Sequence, residues 1–216
     1  MSKVNFNIIS TGSQGNAVII ENSILIDCGV PFKLLEKHIK PLKLVLLTHI
    51  HSDHFNKTTI RRLAQERPTL RFACGEWLVP ALVECGVPKR NIDPLKMRKF
   101  YDYKSFKVEA FPLTHNAKNC GFKLYLPTGK LIYATDTNSL DGIEAKGFDL
   151  YMIEANYKED EIRERIAQKE LNGEYAYERR VLKNHLSKEK ADAFIFNNIE
   201  HGEYIYIHTH NGEVWE

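Results

Sequence analysis

The sequence predicts an α/β (α+β) fold in which two sheets pack face to face with helices outside. Three observations support this. The chain has 216 residues, of which 43% are hydrophobic and 27% charged, so it is long enough for a full core and ordinary enough in composition to fold. Short apolar, β-branched runs bounded by polar turn residues recur along it. Helical segments alternate with these runs in two similar halves, a pattern that layered sheets and helices accommodate. With no repeat, linker or low-complexity segment, residues 1–216 are expected to form one domain.

The first half begins with a strand over Phe6–Ser10, followed by the loop Thr11-Gly12-Ser13-Gln14-Gly15-Asn16. Strands are expected at Ala17–Ile20 and Ile24–Asp27, and Pro31 suits the first turn of a short helix running to His38. Lys43–Thr48 reads as a buried strand that stops at His49. A helix is expected over Asn56–Arg67, with Ile60 and Leu63 on its apolar face, and a second over Gly75–Cys85. Strand character returns at Phe106–Phe111, Gly121–Leu126 and Leu131–Ala134, the last two joined by a Pro127-Thr128-Gly129 turn. Asp149–Glu154 is another buried strand, and Lys158–Glu170 a solvated helix with Ile162 and Ile166 on one face. A helix over Ser187–Asn198 and a strand over Tyr204–Ile207 close the chain.

Thirty basic residues against 28 acidic ones give a formal charge of +2, too small a bias for a protein that holds duplex nucleic acid mainly by a basic surface. No apolar run approaches the roughly 20 residues needed to span a bilayer, and the first residues lack a signal-peptide core. The four cysteines, Cys28, Cys74, Cys85 and Cys120, are far apart. Neither a disulfide scaffold nor a cysteine metal knuckle is expected, and a reduced, cytoplasmic setting is.

The nine histidines carry the rest. His49-Ile50-His51-Ser52-Asp53-His54 sets four potential ligands within six residues, directly after a buried strand. A loop at a strand end can turn all four toward one point, and imidazole with carboxylate is a preferred donor set for zinc and similar cations. Further candidates stand at other strand ends: His115 after Ala110–Thr114, Asp136 after Leu131–Thr135, and His208 and His210 after Tyr204–Ile207.

His49-x-His51-x-Asp53-His54, followed by His115, Asp136 and a late histidine, resembles the metallo-β-lactamase superfamily across essentially the whole chain. The resemblance implies an αββα sandwich with two divalent metal ions in the groove between the sheet edges, zinc or alternatively manganese. Carried over, His49, His51 and His115 would hold the first metal. Asp53, His54 and His208, with His210 as the alternative, would hold the second, and Asp136 would bridge. Asp27 matches the superfamily's early aspartate, which orients the ligand loop.

Three details resemble the single-domain phosphodiesterase branch rather than β-lactam hydrolases: the carboxylate at Asp136, the glycine-rich loop Thr11–Asn16, and Asn184-His185-Leu186-Ser187. The last is similar to a segment that supplies a catalytic histidine in phosphodiesterase members; a plain alternative is that Ser187 caps the following helix. In the implied mechanism Asp53 accepts the proton of the attacking water, and His185 stabilises phosphate charge or protonates the leaving oxygen.

Glu154-Ala155-Asn156-Tyr157, a charged helix and the His185 segment together resemble the phage and bacterial anti-Pycsar enzymes. Those are homodimers that open cyclic mononucleotides and so counter cyclic-nucleotide immune signalling. A small anionic nucleotide substrate and a homodimer are therefore expected. A single-domain DNA exonuclease, acting on polymeric nucleic acid, is the alternative. A glyoxalase-type thioester hydrolase shares the ligands but not the His185 segment.

Overall fold

The computed structural model describes residues 3–209. In the first half, β1 (Phe6–Ser10), β2 (Ala17–Ile20) and β3 (Ile24–Ile26) precede helix α1 (Phe32–Leu35), β4 (Leu44–Leu47) and α2 (Lys57–Glu66). β5 (Arg71–Gly75), α3 (Val79–Glu84) and β6 (Ile92–Leu95) complete it. The second half runs β7 (Phe100–Asp102), β8 (Lys107–Leu113), β9 (Asn119–Leu126), β10 (Gly129–Ala134) and β11 (Leu150–Glu154). It ends with α4 (Glu159–Leu171), α5 (Glu178–Asn184), α6 (Lys188–Asn198) and β12 (Glu203–Ile207).

Two sheets result, ordered β1-β2-β3-β4-β5-β6 and β12-β11-β10-β9-β8-β7. Each combines an antiparallel meander with parallel strands. β3 through β6 are parallel in the first sheet, and β10 through β12 in the second. Strand alternation explains the layers. In β4, Leu44 and Leu46 face the other sheet while Val45 and Leu47 join α2 residues Ile60 and Leu63. In β11, Leu150 and Met152 face inward while Tyr151 and Ile153 pack on Ala191 and Ile195 of α6. Helices thus cover both outer faces, and the αββα sandwich expected from the sequence is the architecture observed.

The expected helix over Gly75–Cys85 needs correcting. Gly75 ends strand β5, a 3-10 turn covers Glu76–Leu78, and the α-helix begins at Val79. Strands β5, β6 and β7 were not anticipated. β5 is a short run inserted between β4 and β6. β6 carries Pro94, tolerated because β6 is the edge strand of its sheet. α2 and α6 begin where their caps direct: Asn56 accepts from Thr59 N at 3.1 Å, and Ser187 accepts from Lys190 N at 3.2 Å. Among the described residues no helix is long and apolar enough to cross a membrane.

Candidate metal centre

Parallel strands that share a direction present their C-terminal ends along one edge. The candidate ligands stand on the residues just beyond those ends. Asp27 follows β3, His49 follows β4, His115 follows β8, Asp136 follows β10, and His208 follows β12. Asp27, Asp136 and His208 have left-handed backbones, with φ of 59°, 55° and 53°. The chain accepts this cost where it turns each side chain toward the groove.

The ligand loop is held by backbone packing. Asn16 N donates to the Asp53 carbonyl at 2.7 Å, and Asn16 Nδ2 donates to the same oxygen at 3.2 Å. A Cβ on Gly29 would lie 1.7 Å from that carbonyl oxygen, and one on Gly15 would lie 2.7 Å from the Gly29 oxygen. Three backbone segments therefore stack without side chains between them. The glycine-rich loop thus has a structural role, clamping the ligand loop from outside.

Three of the rings, His49, His54 and His115, are oriented by a bond on the far side. Asp27, fully buried, accepts from Thr48 N at 2.9 Å and from His54 Nδ1 at 2.7 Å. Thr48 Oγ1 donates to Asp27 and lies 3.0 Å from His49 Nδ1. His115 Nδ1 donates to the Asn184 carbonyl at 3.0 Å. These bonds turn the Nε2 atoms of His49, His54 and His115 into the groove, the orientation in which a neutral imidazole can ligate.

Two donor groups emerge. His49 Nε2 lies 3.0 Å from His51 Nδ1, which lies 3.3 Å from His115 Nε2. Nitrogens about 2.0–2.1 Å from a tetrahedral cation stand about 3.3 Å apart, so this trio fits a zinc-like ion. His54, Asp53 and His208 form the second group; Asp53 Oδ2 is 3.5 Å from His54 Nε2 and 3.8 Å from His208 Nε2. Asp136 reaches both. Its Oδ2 is 2.9 Å from His54 Nε2, and its Oδ1 is 3.8 Å from His115 Nε2. The seven residues expected to ligate, His208 among them, thus lie together, while the alternative His210 lies outside the described residues.

Burial and the Asp136 carboxylate together set the charges in the groove. Burial, and after it the neighbouring His54, lower the pKa of His49 to about 2, so its ring stays neutral. Burial would also lower His54 and His208, but the Asp136 carboxylate outweighs it. His54 rises well above the usual range and His208 to about 10. Burial would raise Asp136, and His208 and His54 instead hold it well below the carboxylate range.

Glu154 completes the centre and was not anticipated as a site residue. Fully buried at the end of β11, it accepts from His185 Nδ1 at 2.6 Å and from Thr137 N at 2.9 Å. Burial would raise its pKa, and His185 lowers it. The signal was available: Leu150-Tyr151-Met152-Ile153-Glu154 is an apolar strand ending in a potential ligand, like the segments before His49 and Asp136. His185 lines the same cleft, 3.6 Å from Asp136 Oδ1. Since Ser187 also caps α6, capping and a place in the site coexist in one segment.

This fold, with clustered imidazoles and carboxylates at the ends of its strands, defines a class. The chain belongs to the beta-lactamase superfamily, whose domain model matches residues 22–208. It is similar to the exodeoxyribonuclease YycJ of Bacillus anthracis, 23% identical over 175 residues, 74% of this chain and 66% of that protein. The chain thus spans just under two thirds of that relative's length. The metallo-beta-lactamase fold protein YhfI from Bacillus subtilis superposes with a TM-score of 0.73 at 14% identity, over 97% of this chain and 87% of that one. Human tRNase Z, short form, gives a TM-score of 0.72 at 16% identity, over 95% and 92% of the two chains. The structural likenesses identify the fold as that of the metallo-β-lactamases.

Proposed function

We propose that the chain is a metal-dependent hydrolase of phosphodiester bonds that uses two divalent cations, zinc or manganese. The observation that carries this reading is Asp136, whose two oxygens face two separate donor groups, as a bridging ligand requires. Cations held there would polarise a phosphoryl oxygen and lower the pKa of the attacking water. His49, His51 and His115 would hold one, Asp53, His54 and His208 the other. Asp53, with its side chain 23% exposed at the cleft, takes the water's proton. Glu154 binds the Nδ1 proton of His185, which orients the ring so that its other nitrogen protonates the leaving oxygen. Thr137 N and Leu186 N hold Glu154 in turn, at 2.9 and 3.3 Å.

Cyclic mononucleotides are the substrates this reading favours. The cleft has a volume of about 360 Å³, at the small end of the roughly 300–1,000 Å³ usual for small-molecule sites. The same reading takes the protein as a homodimer, which light scattering would check. A DNA exonuclease is the second reading, favoured by the likeness to the exodeoxyribonuclease YycJ. The test is to incubate metal-loaded protein with a panel of 3′,5′-cyclic nucleotides and end-labelled single- and double-stranded DNA. Opened cyclic nucleotides beside intact DNA support the first reading; shortened strands support the second. Hydrolysis of neither, by protein carrying two metals, would defeat both.

A further inference from the structure

One wall of the cleft takes no part in either donor group. Tyr177, Arg180, Val181 and Asn184, at α5 and the residue preceding it, all line the cavity. Their spacing, i, i+3, i+4 and i+7, is one face of a helix. Of the neighbouring charged groups on α5, Glu178 is buried and accepts from Lys169 Nζ at 2.6 Å, and Arg179 pairs with Glu170. Arg180 has no carboxylate within ion-pairing distance among the described residues, so its permanent charge is directed to the cleft mouth without a protein counter-ion. Tyr177 is 47% exposed, and Lys169 Nζ stands 4.1 Å from its ring centroid. One face of that ring is covered by a cation, which leaves the other for a flat group.

A guanidinium suits phosphate oxygens by geometry and charge, and an exposed aromatic ring suits a base, since every base has a π-face. We propose that Tyr177 and Arg180 form the nucleotide-recognition face of this cleft, Arg180 pairing with phosphate oxygens and Tyr177 stacking on the base next to the scissile bond. The inference rests on the phosphodiesterase reading and gives it a substrate class: nucleotidyl esters, in preference to phosphodiesters without a base. The cleft volume fits one nucleotide unit, a free mononucleotide or the terminal residue of a strand.

The test compares two esters with the same leaving group on the metal-loaded full chain: thymidine 5′-(p-nitrophenyl phosphate) and methyl p-nitrophenyl phosphate. The ratio of their kcat/KM values should fall roughly 5- to 150-fold in Tyr177→Ala, the range set by losing one base stack. Tyr177→Phe, which keeps a stackable ring, should recover most of the ratio. Arg180→Ala should raise KM for the nucleoside ester about tenfold, with part of the loss recovered in Arg180→Lys. Elemental analysis should find the metal content of all four variants equal to that of the parent. Calorimetric titration with thymidine 5′-monophosphate, and with a short 5′-phosphorylated oligothymidylate, reads the same face without turnover. It also distinguishes a free nucleotide from a strand end. A parent protein that hydrolyses neither ester yet binds the nucleotide through Tyr177 and Arg180 would remove the phosphodiesterase reading and leave this face standing. An unchanged ratio in Tyr177→Ala, or nucleotide affinity unchanged in both alanine variants, would overturn the proposal.

Discussion

The two halves of the molecule build the same centre by different means. The first concentrates its donors in sequence: His49, His51, Asp53 and His54 occupy one loop after β4. That loop folds on itself, with His54 N and Phe55 N both donating to the His51 carbonyl, at 2.9 and 2.7 Å. The second half concentrates its donors in space. Asp136, Glu154 and His208 are far apart along the chain but stand at the ends of β10, β11 and β12, which are parallel neighbours in one sheet. Neighbouring strands lie about 4.8 Å apart, close enough for side chains at their ends to meet. A site dense in sequence depends on how its loop is clamped; a site dense in space depends on sheet register.

This contrast can be broken from either side. Asp136→Ala removes the carboxylate whose two oxygens face the two donor groups. It should abolish hydrolysis and reduce the metal content below two per chain, as measured by turnover assay and elemental analysis. Undiminished metal content would mean that the halves bind independently. His185→Ala should retain both metals and lower kcat by roughly 10²–10⁴, the usual range for losing a general acid. An equal loss on an ester with a good leaving group would assign His185 to charge stabilisation instead. Asp27→Asn tests the clamp on the dense loop. It should weaken metal binding roughly 10- to 100-fold, since Asp27 touches Thr48 and His54 and orients both His49 and His54. Competition with a chelator would read that shift, and an unchanged affinity would show that backbone packing alone positions the loop. The smallest effect belongs to Asn56→Ala, which removes the cap of α2 just beyond the ligand loop and should cost about 1 kcal/mol in chemical denaturation.

The same contrast decided what could be read from the sequence. Four ligand types in six residues stand out in any order of reading, so His49, His51, Asp53 and His54 were legible at once. His115, Asp136 and His208 were legible only as ends of apolar strands, together with the family resemblance. Glu154 had the same signature, but a lone carboxylate at a strand end is common, and its partner His185 arrives from another element. Tyr177 and Arg180 carry no pattern of their own, because the direction in which a seven-residue helix faces is decided by packing. In the fold, the apolar runs marked most of the buried strands, β4 and β11 among them. β5 to β7 escaped because Arg71, Pro94 and the three-residue span Phe100–Asp102 dilute the alternation on which strand recognition relies.

Asp136 and His208 come from the second sheet, while His49, His51, Asp53 and His54 come from the first. A cation seated among them would cross-link the two layers and close a loop over most of the chain, as a disulfide would in an oxidising compartment. Thermal stability should therefore follow metal concentration. At one hundred times the dissociation constant, mass action adds about 2.7 kcal/mol to the folded state. Unfolding scans with and without chelator would show a lower midpoint without metal. In a cell, scarcity of the ion would then reach the protein twice, once as lost turnover and once as a larger unfolded fraction exposed to proteases.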